Sequence, residues 1–561
     1  MGIRGLAISL EPYAARYKIE ELDGHTAIID GPSLAYHAYH LAGKKCPLGI
    51  PSYRHINQEA IRWLRSLQEN FSIKISHIFF DGALPVSKKE ERLLRLKKGL
   101  EQMSTFRAIN NRAGCPIPQK LGSVNYPFLA PSLLEALRGS EFDNITRTVP
   151  GEADDWCAHC ASLGTGRIIF TSDTDLICFE YTHEVLIAFF RGVTLEGDPS
   201  IHAYPTADIR NRLKLKSLVP LAYAMIHNPY ATFAESLLTA RTCNIEFTEY
   251  LDFKARYANN DPNLPYVLWS REVDRVVRTL DARIAEFVHQ MLPSFIAGTT
   301  LPDLPEIFLP PLFEDPNEAS AWSHGRNNRI LAYSLFALNQ KSSLVCETTR
   351  RGHSMKSIQY EFYPRGKIID ELRDTTSYLQ AWLERYKDRL AIEQSWRLLA
   401  VRFVQNDLQT LYRPVYNASA FTHIVHSQFD STWKYVQLSA CVQAVLYSFR
   451  TLHQCISVYL GASNDLEVCG VLQELNNLLS SLPLLADFPS VGAKPRSSWN
   501  HARTRSCLRD IYADLGIKEQ EHPQSKKKRA KGKQASKGKE GELLKRDPNN
   551  SFVLLRQDED T

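Results

Sequence analysis

No run of about 18 or more apolar residues occurs in this 561-residue chain, so no membrane-spanning helix is read from it. The opening MGIRGLAISLEPY is too short and too interrupted for a secretory signal, and Leu6 breaks the pattern for N-terminal myristoylation. The 11 cysteines are odd in number and scattered. Only Cys157 and Cys160 stand close together, and no second pair follows at the spacing of a zinc ribbon or finger. We therefore expect reduced thiols in an intracellular compartment. A global excess of charge is also missing. The formal net charge is +5, but residues 526–546 carry ten Lys or Arg against two Glu, and residues 1–525 are neutral overall. A nucleic-acid partner would have to be met by local patches rather than by a basic body.

What is present falls into three parts. Residues 1–235 begin with short β-type apolar runs alternating with helical patterns: HTAIID, then GPSLAYHAYHLAG; QEAIRWLRSLQENF, then ISHIFFD; GEADDWCAHCASLG, then RIIFTSDTD and HEVLIAFF. This alternation predicts an α/β domain, a parallel sheet flanked by helices. Residues 236–515 read as a mostly α-helical region with no internal repeat and no recognisable chemistry. Residues 516–561 form a lysine-rich tail, KKKRAKGKQASKGKEG at its centre, whose composition predicts disorder. That tail reads as a nuclear localisation signal, as an arm adding salt-dependent affinity for nucleic acid, or as a solubilising extension.

Three of the apolar runs end in aspartate: Asp30, Asp81 and Asp173. Asp175 follows Asp173 by two, so both point the same way from an extended segment. Glu152 and Asp154 open the helix before the third strand, with Asp155 beside them. Each has an ordinary explanation on its own. An Asp before Gly forms turns, and acids in a first turn cap the helix and answer its dipole. In a doubly wound sheet, however, functional groups collect outside the carboxyl ends of the strands. Six carboxylates converging there would repel one another and raise each other's pKa unless a cation sat among them. Oxygen ligands in that number suit Mg²⁺ or Mn²⁺, and two such ions serve phosphoryl transfer. Directly after Asp81 comes GALPVSKKEERLLRLKKGL, where Lys88, Arg92 and Arg95 share one helical face. This is a solvated surface or, leaving from a metal site, a grip on a phosphate backbone. Tyr36, in the helix after Asp30, is a packed tyrosine or a platform for a base.

These motifs resemble the flap endonuclease/xeroderma pigmentosum group G (XPG) superfamily. MGIRGL is similar to the family's opening, IIDGPSLAY to its first acidic strand and tyrosine, and FFDGALPVSKKEERLLR to its second acidic strand with lysine and arginine. VPGEADD and TSDTDL are similar to its later acid signatures, and all stand in the family's order. The resemblance covers residues 1 to about 190 and implies a PIN-like fold. It implies six metal-site acids (Asp30, Asp81, Glu152, Asp154, Asp173 and Asp175) holding two Mg²⁺ or Mn²⁺ ions. It further implies that Lys88 and Arg95 reach the scissile phosphate, with Gly2 beside the site.

The chain departs from the family in two places. In LAYAMIHNPY, Pro229 beside Asn228 stands where a seventh acid is expected, and no glycine-rich DNA-binding hairpin is recognisable in ATFAESLLTARTCN. With the long helical half, these departures resemble the asteroid subgroup most. The expected function is a metal-dependent, structure-specific endonuclease on branched or single-stranded DNA, with a role in DNA repair and a nuclear location. The competing expectation is a catalytically silent scaffold that binds proteins or RNA in post-transcriptional regulation. Protein partners would meet the helical half, and no membrane partner is expected.

Overall fold

The computed structural model describes residues 2–46, 50–85, 88–110, 114–115, 126–242, 248–258, 269–300, 303–338 and 344–517. The first part of the chain builds a seven-stranded sheet of β1 (Ala15–Tyr17), β2 (Thr26–Asp30), β3 (Lys74–Phe80), β4 (Thr146–Thr148), β5 (Arg167–Thr171), β6 (Val185–Thr194) and β7 (Ser200–Pro205). The order across the sheet is β1-β7-β6-β5-β2-β3-β4. Strands β2 to β6 pair in parallel, and β7 and β1 close one edge antiparallel. The lysine-rich tail beyond residue 517 lies outside the described residues.

Side chains alternate between the two faces of this sheet. Ala27, Ile29, Ile168, Phe170, Leu186, Ala188 and Phe190 join one core. It is covered by α2 (Gly31–Lys44), α3 (Tyr53–Phe71) and α5 (Leu129–Arg138), with α1 (Leu6–Leu10) lying on the opposite face and α4 (Lys89–Ile109) following β3 in the chain. Ile28, Phe79, Ile169, Ile187 and Phe189 join the other core. It is covered by α1, α6 (Ala153–Ser162), α7 (Thr206–Leu213) and α8 (Val219–His227). Helices α9 (Phe233–Thr242) and α10 (Thr248–Ala255) add Ala240, Tyr250 and Phe253 to that second core.

The remainder is mostly helical, as expected from its periodicity, and is centred on a 30-residue buried helix, Trp433–Ala462. Helix α11 (Arg271–Val277) and helix α12 (Ala282–Ala297) lead into it from the sheet. A three-stranded sheet was not foreseen here: β8 (Glu306–Phe308), β9 (Leu344–Arg351) and β10 (Ser354–Glu361), in the order β10-β9-β8. Strand β8 is only three residues long, and the solvent face of β10 is polar, so neither shows a strand's apolar period.

The helical region is sewn to the sheet edge beyond β4. Thr148 donates its backbone N–H to Arg278 O at 2.8 Å and its hydroxyl to Leu280 O at 2.6 Å. Asp281 then caps α12 through the Arg283 N–H at 3.0 Å. The start of α12 is thereby fixed next to the loop that carries Glu152. Farther along, Phe128 stacks on Tyr447 with centroids 5.0 Å apart, and Glu135 pairs with Arg450.

Candidate metal and phosphate site

Strand order explains why the acids meet. Strand β2 lies between β3 and β5, so the carboxyl ends of these three strands are neighbours at the point where the connections change direction. Asp30 ends β2, Asp81 follows β3, and Asp173 stands two residues beyond β5. Helix α6 starts on the same side and adds Glu152 at its N-cap and Asp154 in its first turn. Asp30, Asp81, Glu152, Asp154 and Asp173 line one cleft of about 100 Å³, together with Tyr36, Lys88, Arg92 and Arg95.

Each acid is held differently. Asp30 is buried and caps α2, accepting from Ser33 N at 3.2 Å and from Thr171 Oγ1 at 2.7 Å. Asp81 Oδ1 accepts from Ala153 N at 2.8 Å, which ties the end of β3 to the start of α6. Glu152 pairs with Lys88 at 2.6 Å. Asp173 accepts from Asp175 N at 3.2 Å, and its own N–H is held by Thr171 Oγ1 at 2.9 Å. Asp175 is not among the residues lining that cleft and lies beside Gly2. Its Oδ1 is buried with no hydrogen-bond partner among the described residues. A Cβ on Gly2, whose φ is +94°, would fall 2.3 Å from Asp173 Oδ1 and 2.9 Å from Asp175 Oδ1.

The electrostatics are those of a carboxylate cluster short of positive charge. Desolvation pushes Asp30 up to about 6, with Asp81 adding to the rise. Desolvation pushes Glu152 up to about 7 despite Lys88. Asp175 rises to about 6 through desolvation and the neighbouring Asp173. Asp154 is raised farther, by desolvation and by Asp30, Asp173, Asp81 and Glu152 together. Burial disfavours the Lys88 ammonium, but Glu152 outweighs it and holds the proton on.

Among the described residues, no three His, Cys, Asp or Glu side chains close into a cage around one point. The cluster is open, with Lys88 drawn onto Glu152. The donor set still fits hard divalent cations. It is all oxygen and mutually repelling, and it includes one buried acceptor, Asp175 Oδ1, with no donor among the described residues.

The three cations foreseen on α4 are not equivalent. Arg95 pairs only with Glu91, an exposed neighbour four residues back, among the described residues. Arg92 bonds to Glu286 at 3.3 Å, and Glu286 also holds Arg283. Both partners come from α12, and Arg283 draws Asp81 back toward its charged form. Lys89 pairs with Glu306 at 2.6 Å and Arg107 with Asp315 at 2.9 Å, so the helical half clamps α4 along its length.

Sequence reading passed over Arg283, Glu286 and Tyr257. The first two stand some 190 residues from α4, and no local pattern marks them. Tyr257 donates its hydroxyl toward Asp175 Oδ2 at 3.4 Å. Asn228 and Pro229, by contrast, are exposed just past the end of α8. A tyrosine from beyond α10, and not a residue near Asn228, therefore neighbours the outer acid pair.

Residues 125–362, which include Glu152 to Asp175 and Arg283, match the family described as XPG domain containing. Over these residues the chain is similar to the flap endonuclease/XPG superfamily. Exonuclease 1 of Oryza sativa subsp. japonica is 29% identical over 187 residues, which is 32% of this chain and 21% of that protein. The chain thus spans about a fifth of that relative's length. Among solved structures, human GEN1 in complex with Holliday junction DNA overlaps 53% of this chain and 80% of its own, at 15% identity and a TM-score of 0.32. The catalytic core of Rad2 in complex with DNA substrate overlaps 48% and 84%, at 16% identity and a TM-score of 0.29. Superpositions this loose add nothing to the XPG family match.

Proposed function

We propose that this XPG-superfamily chain is a divalent-cation-dependent endonuclease that hydrolyses phosphodiesters in branched or single-stranded DNA, in DNA repair. The observation that carries this reading is the gathering of Asp30, Asp81, Glu152, Asp154 and Asp173 around one cleft with Lys88, Arg92 and Arg95. Those five acids and Asp175 would hold two Mg²⁺ or Mn²⁺ ions. When bound, such a pair stabilises the attacking and leaving oxygens of phosphoryl transfer.

The chain's own residues supply the rest. Lys88 lines the cleft with the acids, where leaving Glu152 for a substrate phosphate would exchange one anion for another. Arg95 is bound only by an exposed pair, which is worth little, so it is free to turn to a phosphate. Arg92 is tied to the buried Glu286 and sets the position of α4. Tyr36 is 48% exposed on α2 and offers a ring face to a base. We assign the chain to the asteroid subgroup, a reading supported by the departures near Pro229 and the long helical half, and the lysine-rich tail supports a nuclear location. The helical half is the surface we assign to protein partners.

A second reading, a catalytically silent scaffold binding proteins or RNA, draws on one observation: Tyr257 rather than a seventh acid stands beside Asp175. Two experiments separate the readings. Labelled flap, overhang and single-stranded substrates with Mg²⁺ or Mn²⁺ should be cut by the wild type and not by Asp81→Ala. Calorimetric titration with Mn²⁺ should show binding that Asp81→Ala weakens, whereas a silent scaffold shows neither cutting nor tight binding.

A further inference from the structure

A second depression, of about 710 Å³, opens from Asp173 and runs between α1, α2 and the end of β6. Its walls include Arg4, Ile8, Tyr36, His40, Phe190 and Arg191. Its chemistry is the reverse of the α4 side. There, Lys88, Lys89, Arg92, Arg95 and Arg107 are all answered by carboxylates. Here, Arg4 and Arg191 are exposed and neither has an acidic partner among the described residues. Asp173, at the inner end, is the one acid in the wall among the described residues.

Strand geometry turns Arg191 outward. The β6–β7 register shifts between Ala188 and Val193, a bulge that ends the buried run at Phe190 and turns the next residue to solvent. The Arg191 guanidinium then lies 5.8 Å over the Phe189 ring. Beneath the surface, His37 stacks on Phe190 at 5.0 Å and leaves its Nε2 buried without a partner among the described residues. Ring faces, unpaired guanidiniums and an exposed Ile8 in one groove are the composition that tracks an unpaired strand, because bases stack while the backbone is neutralised.

We propose that this groove binds a single-stranded polynucleotide leading away from the carboxylate cleft. Arg4 and Arg191 neutralise its phosphates, and Tyr36 and His40 offer ring faces to its bases. The proposal rests on the nucleic-acid reading above but not on catalysis.

The test is binding of the full chain to labelled oligodeoxythymidylate and oligouridylate in EDTA, measured against salt concentration. The comparison is wild type against Arg4→Gln/Arg191→Gln and a charge-matched control, Arg505→Gln/Arg509→Gln, on the exposed face of His501–Asp514. We expect the groove variant to bind roughly 10-fold more weakly at moderate salt. The slope of log affinity against log salt should fall by about 1.4, or about 0.7 for each phosphate that is no longer neutralised. The control should behave as wild type.

An unchanged slope in the groove variant, an equal loss in the control, or no strand binding by wild type overturns the proposal. Displacement of the strand by polyglutamate at equal charge concentration also overturns it and assigns the groove to an acidic protein. If the double variant fails to fold, Arg191→Gln alone should show half the slope change. Cleavage is scored separately with Mn²⁺. Strand binding that depends on these arginines in a chain that never cuts would sink the nuclease reading and leave the groove standing.

Discussion

Lys88 Nζ lies 2.6 Å from Glu152 Oε2, so the cation nearest the cleft acids is held by one of them. Lys88 and any bound cation compete for the same carboxylate. Replacing Lys88 by Ala should therefore separate binding from chemistry. We expect the cleavage rate to fall by about 10²–10³-fold, the usual loss for one transition-state donor. Mn²⁺ affinity should stay the same or tighten. Single-turnover kinetics beside calorimetry would show this, and a rate loss fully restored by excess Mn²⁺ would contradict it.

The acid cluster also fixes how stability depends on pH. Glu152, Asp30 and Asp175 rise to about 7, 6 and 6 from ordinary values of 4.5, 3.8 and 3.8. Between the ordinary and the raised values, the folded chain binds more protons than the unfolded one. The metal-free protein should therefore lose stability as pH rises from about 5 to 8. Saturating Mg²⁺ should flatten the slope. Urea midpoints at stepped pH, with and without Mg²⁺, check the sign; a metal-free midpoint that rises over this range would show that the acids are relieved by other means.

Gly2 reports on the outer acids. A methyl group there would meet Asp173 Oδ1 and Thr174 Oγ1 at 2.3 and 2.4 Å, in a backbone conformation that side chains rarely adopt. Gly2→Ala should lower cleavage at least roughly tenfold, because under the proposed function the acids it displaces would set the reacting geometry. The thermal midpoint should move little, since Gly2 is exposed and adds nothing to the core. Equal cleavage by the variant would remove Gly2 from the site.

How much of this was legible in the sequence follows from what local pattern can carry. Asp30, Asp81 and Asp173 were readable because each ends an apolar run, and strand ends are local features. Glu152 and Asp154 were readable from a helix start. Strand β1 was not, because three residues on a sheet edge have no period to show. The turn at Arg351–Gly352–His353–Ser354 was a hairpin signal hidden among cations. Glu286, Arg283 and Tyr257 were invisible for a different reason. Their meaning lies in contacts across more than 80 residues, made by a helical half whose sequence shows only its own periodicity.

Glu286 is the clearest of these. It is buried, and it holds Arg283 and Arg92 at once. Glu286→Ala leaves two guanidiniums short of charge near the cleft, and breaking such a buried pair costs about 3–5 kcal/mol. Urea denaturation should show that loss, with cleavage falling as α4 loses its anchor. A change near zero would mean that Lys89–Glu306 and Arg107–Asp315 are sufficient to hold α4.

The most direct single measurement is the cleavage rate of a labelled flap substrate in Mn²⁺ by wild type and Asp154→Asn. Asp154 lines one cleft with Asp30, Asp81, Glu152 and Asp173, burial and these acids together raise its pKa, and the substitution keeps its shape while removing one charge and one carboxylate oxygen. We expect wild type to cut and the variant to be slower by about 10³-fold or more, an effect of the size one essential group carries. Equal rates in the two proteins, or no cutting by wild type on any flap, overhang or single strand, would contradict the assignment of this cluster to phosphodiester hydrolysis.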